Sequence, residues 1–154
     1  MPKLSAVLLD QLAPTVEGLT VHGLGDMPGH LIRRLHQIAV AHFVDAIREC
    51  GDLTPVQYAT LVAADSQPGI DQRSLGAMIA FDRSTIGDVI QRLEHRGLLR
   101  RENDRSDRRA KNVFLTDEGR DLLKRVDPLV VRSQRQFLAP LSDGEQAILM
   151  FLLR

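Results

Sequence analysis

Residues 71–119, DQRSLGAMIAFDRSTIGDVIQRLEHRGLLRRENDRSDRRAKNVFLTDEG, decide the fold. Asp71 and Asp82 each precede a run of helix-forming residues, where a carboxylate accepts the first free backbone N–H groups as an N-cap. The run from Gln72 to Ile79 is short. In the next, Ile86, Val89, Ile90 and Leu93 recur at i, i+3, i+4 and i+7, one apolar stripe, and Gly97 ends the helix. Two short helices with a tight link form a helix-turn-helix pattern. Past Gly97 the period becomes that of strands: Leu98-Leu99-Arg100-Arg101 and Val113-Phe114-Leu115 enclose a polar stretch from Glu102 to Lys111 and predict a two-stranded hairpin with a charged tip, a wing. Thr116, Asp117 and Glu118 bring a cap and two carboxylates to the start of a long helix, where the helix dipole favours anions. That helix is expected to bend or break near Pro128 or Pro140.

Outward from this stretch, Thr54-Pro55 predicts an N-cap with proline in the first turn, opening a helix to about Ala64 that closes before Pro68-Gly69. Upstream, a helix is expected from Gly29 to Cys50, ended by Gly51-Asp52. Its apolar residues, among them Leu31, Ile32, Leu35, Ile38, Phe43, Val44 and Ile47, surround most of the helix rather than forming one stripe. In a chain this small, a partner subunit supplies the second surface such a helix needs. The capping box Ser142-Asp143-Gly144-Glu145 heads an apolar tail from Ala147 to Leu153, and the two ends of the chain are expected to meet in a dimer interface. The first 26 residues carry Pro14, Gly18, Gly23 and Gly25 and read as a loose arm with a short helix at most. The expected fold is mostly α with a small β-hairpin wing: an arm over residues 1–28, then a domain over 29–154. In that domain residues 53–115 form a winged helix-turn-helix, and residues 29–51 and 116–154 the dimerisation helices.

Composition narrows the function. A chain of 154 residues that is 44% apolar suits one globular unit. Twenty basic and 20 acidic side chains cancel, so a nucleic-acid surface must be local. It is found between Arg92 and Lys111, where eight basic residues (Arg92, Arg96, Arg100, Arg101, Arg105, Arg108, Arg109, Lys111) face four acidic ones (Glu94, Glu102, Asp104, Asp107). Aromatics at 4%, with no Trp, poorly supply a stacking platform for single strands or a sugar cleft. The single cysteine, Cys50, excludes an internal disulfide and fits a reducing cytoplasm. No segment approaches the ~18 to 20 uninterrupted apolar residues of a membrane span, and no cleavage site follows Leu4 to Leu9, so neither span nor signal peptide is expected. With no nucleophile elbow, phosphate-binding glycine loop or metal-ligand motif, neither enzyme activity nor a cofactor is expected.

On the helix after Asp82, the apolar stripe turns Arg83, Ser84, Thr85, Asp88, Gln91, Arg92 and His95 toward solvent. Short polar side chains beside an arginine suit entry into a major groove, where Arg83 can fork onto a guanine. Asp82-Arg83-Ser84-Thr85-Ile86, Leu93-Glu94-His95-Arg96-Gly97-Leu98-Leu99-Arg100-Arg101, the Asp104 to Lys111 wing with its Asp107-Arg108-Arg109, and Leu115-Thr116-Asp117-Glu118-Gly119 together resemble the MarR family of winged-helix regulators, over about Gly29 to Leu153. The resemblance implies a homodimer on a pseudo-palindromic double-stranded operator, with half-sites about 10 bp apart and wings in flanking minor grooves. It implies Arg109 in the minor groove, Asp107 orienting neighbouring basic groups and Arg108 on phosphate. Arg83, Ser84, Thr85 and Asp88 would then face bases, Gln72 and Arg73 the DNA backbone, with Arg92 on the same DNA-binding face.

Gly29-His30-Leu31-Ile32-Arg33-Arg34-Leu35, with Leu75 onward and the Asp82 to Ile86 run, is similar to the MarR subgroup that responds to small aromatic carboxylates such as protocatechuate and hydroxynicotinate. This implies an arginine on the first helix pairing with a ligand carboxylate, Arg33 first and Arg34 second, in a repressor of an aromatic-acid operon whose effector resembles 6-hydroxynicotinate. An arginine in an apolar helix needs an anion, because a buried unpaired guanidinium is costly; an acidic residue of the same or the partner chain would also serve. His36, about 60° from Arg33 around the helix, can bond a ring substituent. Tyr58 either lines the same pocket or sits in the core with its hydroxyl bonded. Three other readings compete. A zinc sensor fails within one helix, because His30, His36 and His42 point about 120° apart. A redox sensor would use Cys50, and a winged helix can also serve as a protein-interaction module.

Overall fold

A computed structural model of the chain describes residues 22–103 and 111–154, with Arg83 placed by its backbone alone. The described residues divide into two units, one ending at residue 38 and the other starting at residue 39. In the first, a 3-10 turn at Leu24–Asp26 leads into helix α1, Pro28–Ile47, which continues into the second unit. Leu31, Ile32 and Ile38 are 45%, 67% and 47% exposed, so the apolar ring predicted for this helix faces solvent in its first half.

In the second unit, Phe43 and Ile47 at the end of α1 are buried. Helix α2, Pro55–Ser66, opens with the expected proline and a full capping box: Gln57 N–H donates to Thr54 Oγ1 at 3.3 Å, and Thr54 N–H to Gln57 Oε1 at 2.9 Å. Next come β1 (Ile70–Asp71), α3 (Gln72–Met78), α4 (Arg83–His95), β2 (Leu99–Asn103) and β3 (Lys111–Leu115), then α5 (Asp117–Leu138) and α6 (Asp143–Leu152). The predicted stripe Ile86, Val89, Ile90 and Leu93 is buried throughout, and it packs in one core with Leu61, Leu75, Leu99, Val113 and Val126.

The wing is three-stranded rather than a simple hairpin. Its order is β1-β3-β2, all antiparallel, with Leu99 opposite Leu115, Arg101 opposite Val113, and Ile70 opposite Val113 on the other edge. β1 escapes a sequence reading because it is two residues long and its partner lies over 40 positions downstream.

Proline 128 does not break the last long helix. Losing one backbone bond and accommodating the ring costs about 3 kcal/mol. Leu122, Leu123, Val126 and Val130 are buried on either side of it, each worth about 1.5 to 3 kcal/mol, and that burial outweighs the cost. The helix ends instead at Leu138, two residues before Pro140, the other expected site.

Candidate nucleic-acid interface

The helix-turn-helix is built on two aspartates. At α3, Asp71 Oδ1 accepts the N–H groups of Arg73 (2.9 Å) and Ser74 (3.0 Å), while Oδ2 accepts the Ser74 hydroxyl at 2.5 Å. At α4, Asp82 Oδ1 accepts the N–H groups of Ser84 (3.0 Å) and Thr85 (2.9 Å) and the Ser84 hydroxyl (2.5 Å); Oδ2 accepts the Thr85 hydroxyl (2.6 Å). Hydrogen bonds that favour the charged form, led by the Ser84 hydroxyl, hold the Asp82 carboxyl far below the usual carboxylate range, and the Ser74 hydroxyl lowers the Asp71 carboxyl.

Both short helices end in the same six-residue motif. Phe81 N–H donates to Gly76 O at 2.9 Å and Ala80 N–H to Ala77 O at 3.3 Å; at the end of α4, Leu98 N–H donates to Leu93 O and Gly97 N–H to Glu94 O, both at 2.9 Å. The position between helix and exit is left-handed in each, φ +72° at Gly97 and +58° at Ala80. Glycine accepts that conformation without a Cβ clash, and Ala80 does not.

This frame sets the outer face of α4. Ser84, Asp88, Gln91, Arg92 and His95 are exposed, as the stripe predicts, whereas Thr85, expected to face solvent with them, is half-buried. The Arg83 side chain lies outside the description, as do Asp107, Arg108 and Arg109 with the rest of residues 104–110. Arg73 is exposed in the first turn of α3, while Gln72 is half-buried with its amide packed close over Gly87 of α4.

The basic cluster is less available than its charge suggests. Arg101 forks onto Glu94, its Nε donating to Oε2 at 2.9 Å and its Nη2 to the same oxygen, which holds the Glu94 carboxyl below its ordinary value. Arg100 lies over the Phe114 ring, 4.5 Å from its centroid, and pairs with Glu102. Arg96 donates to the Asp52 carbonyl at 2.6 Å, tying the end of α4 to the loop after α1. Three of the predicted cluster thus brace the wing and its helix, contacts no local sequence pattern signals. Arg92 is exposed and carries no ion pair among the described residues.

The predicted ligand residues fall in both units. Arg33, Arg34 and His36 are exposed in the first, where Leu31, Ile32, Arg34, Leu35 and Ile38 line an apolar depression of about 370 Å³. Tyr58, in the second, donates its hydroxyl to Asp127 Oδ1 at 2.9 Å and tilts against Phe43 with ring centroids 5.6 Å apart. Burial and then the Asp127 carboxylate push the Tyr58 phenol up to about 12. Of the two roles open to it, Tyr58 has the bonded hydroxyl of a core residue. Cys50 is exposed in a polar groove of about 340 Å³ between the end of α1 and α5, near Arg48, Glu49 and Arg132. Among the described residues no cluster of three or more His, Cys, Asp or Glu could hold a metal ion, and no helix is long and apolar enough to cross a membrane.

Comparison with known proteins agrees with this geometry. The model of the MarR family matches residues 53–111, from just before α2 to the start of β3. The transcriptional regulator HosA of Escherichia coli is 37% identical over 81% of this chain and 90% of its own. The HTH-type transcriptional repressor NicR of Pseudomonas putida is 31% identical over 88% of this chain and 85% of its own. Among solved structures, the PcaV transcriptional regulator of Streptomyces coelicolor, in complex with its natural ligand, superposes with a TM-score of 0.81 at 40% identity, covering 88% of this chain and 94% of that one. BpsR of Bordetella bronchiseptica, whose DNA binding is regulated by 6-hydroxynicotinic acid, gives 0.80 at 30% identity over 88% and 96%. The repressor CouR of Rhodococcus jostii, bound to a 23-mer DNA duplex, gives 0.78 at 28% over 88% and 95%. With its paired Asp-capped helices, three-stranded wing and flanking long helices, the chain belongs to the MarR family of transcriptional regulators, and its winged helix is a DNA-binding one.

Proposed function

We propose that the chain is a homodimeric repressor of an aromatic-acid catabolic operon, released from a pseudo-palindromic operator by a small aromatic carboxylate such as 6-hydroxynicotinate. The observation that carries this reading is the pair Arg33 and Arg34, two guanidinium groups without an ion pair among the described residues, on a helix whose Leu31, Ile32, Leu35 and Ile38 line an apolar depression together with Arg34. An aromatic ring with one carboxylate matches that combination: the ring displaces water from the apolar side chains and the carboxylate accepts the guanidinium fork. Further support comes from NicR, a repressor by name, and from BpsR, whose regulator is such an acid. Arg83, Ser84, Thr85 and Asp88 are assigned to base edges in the major groove, with Arg92 on the same face, Gln72 and Arg73 to the DNA backbone, Arg109 to the minor groove and Arg108 to phosphate, with Asp107 orienting the basic groups beside it. The exposed apolar residues Met150, Phe151 and Leu152 of α6, and Leu153 just after it, join α1 in the dimer interface.

The acid acts by preferring the dimer conformation whose recognition helices no longer match successive major grooves; an acid binding both conformations equally would release nothing. Calorimetric titration of 6-hydroxynicotinate into the protein tests the site. Binding is expected in the wild type and its loss in Arg33→Ala, with operator affinity retained. An Arg33→Ala protein that still binds and responds as the wild type does would refute the assignment.

A further inference from the structure

The first turn of α4 has a chemical polarity that its sequence does not disclose. Asp82 accepts four hydrogen bonds, two from backbone N–H groups and two from hydroxyls: Ser84 Oγ at 2.5 Å and Thr85 Oγ1 at 2.6 Å. The carboxylate is charged at any physiological pH and so can only accept. A serine or threonine hydroxyl has one proton to donate and two lone pairs to accept with. Here both protons point to Asp82, and only lone pairs remain for the groove.

We propose that Ser84 and Thr85 read the operator as acceptors only, contacting the exocyclic amino groups of adenine or cytosine, and that Asp82, touching no base, sets this polarity as a positioning residue. In the major groove those amino groups, adenine N6 and cytosine N4, are the donors; guanine N7 and O6 and thymine O4 are acceptors. A freely rotating hydroxyl serves either kind of edge, whereas these two are held to one.

This rests on α4 being the base-reading helix, and one experiment separates the two claims. An operator is selected from random duplexes with the full-length protein. Each adenine of a half-site is then replaced in turn by purine, which lacks the amino group, and each cytosine by 2-pyrimidinone. The wild type is expected to lose about ten-fold in affinity at one or two positions. Thr85→Val keeps the shape and removes the hydroxyl, so it loses that sensitivity at the Thr85 position. Asp82→Asn keeps an oxygen to cap the backbone, while its amide nitrogen donates toward Thr85 and turns the hydroxyl proton outward. Its preference at that position is expected to move by about ten-fold toward guanine or thymine. Circular dichroism confirms that each variant folds.

Tolerance of amino-less bases at every position, together with weakened binding by Thr85→Val, would overturn the polarity and keep α4 as the reader. So would an Asp82→Asn protein with wild-type base preference. Unchanged preference in every α4 variant, with operator binding intact, would remove the base-reading helix and the proposal together.

Discussion

Arg101 of the wing and Glu94 of α4 are joined by two hydrogen bonds to one carboxylate oxygen, across the turn where the chain leaves α4 for β2. The wing is therefore held to the helix that precedes it. Arg101→Met is expected to cost about 1 kcal/mol in urea denaturation, a modest figure because both side chains are partly solvated. Since its guanidinium is committed to Glu94, the salt dependence of operator binding should keep its slope. A slope lowered by about one would instead make Arg101 a phosphate contact. The stabilising contribution of Glu94 is present above its unfolded value of 4.5 and is lost as pH falls through its lower folded value.

Gly119 stands where the end of α4, the wing and α5 converge. Its N–H donates to Thr116 Oγ1 at 3.0 Å, whose hydroxyl donates to the Gly97 carbonyl at 2.7 Å, and a Cβ there would collide with the Leu98 carbonyl and come within 2.7 Å of Leu115 Cδ1. This gives a physical reason for the Leu-Thr-x-x-Gly spacing. Gly119→Ala is expected to destabilise by about 1 to 3 kcal/mol, read as a lower urea midpoint, because the clash includes backbone.

Ala80 holds φ +58° where the equivalent position after α4 is glycine. A Cβ in this conformation costs about 1 to 2 kcal/mol, and the greater freedom of unfolded glycine takes back part of it. Ala80→Gly should therefore stabilise by about 0.5 to 1 kcal/mol, with operator affinity unchanged. A destabilised variant would place the Ala80 methyl in a packing role that outweighs the strain.

Tyr58 is the single tyrosine of the chain, so its phenolate absorbance reports one group. Titration is expected at about 12 in the folded protein. Because the folded value lies above the unfolded 10.0, the contribution of Tyr58 is complete below pH 10.0 and is lost as pH rises through about 12. Asp127→Asn should move the midpoint down, since it removes the charge that opposes a phenolate.

The sequence disclosed elements whose cause is local. The caps at Thr54, Asp71, Asp82, Thr116 and Ser142, the stripe ending in Leu93 and the exit at Gly97 all stand where periodicity and capping chemistry place them. Hidden features depend on distant partners. β1 exists because Val113 and Asn112 pair with it, α5 passes Pro128 because its neighbours are buried, and Arg96 finds a carbonyl 44 residues away. The same division holds at the interface. Exposure of Ser84, Asp88 and Arg92 follows from helical phase, whereas the commitment of Arg100 to Phe114 and of Arg101 to Glu94 depends on how the wing folds back on itself and on α4.

The most direct measurement is fluorescence anisotropy of a labelled operator with the purified protein, across salt concentrations, with and without 6-hydroxynicotinate, nicotinate, protocatechuate and salicylate. The expected result is sequence-specific binding that weakens steeply with salt, a slope about one unit shallower per half-site in Arg109→Ala, and release by one of the acids. Specific binding indifferent to every acid would contradict the proposed effector class, and binding without sequence preference or salt dependence would contradict an operator-binding regulator altogether.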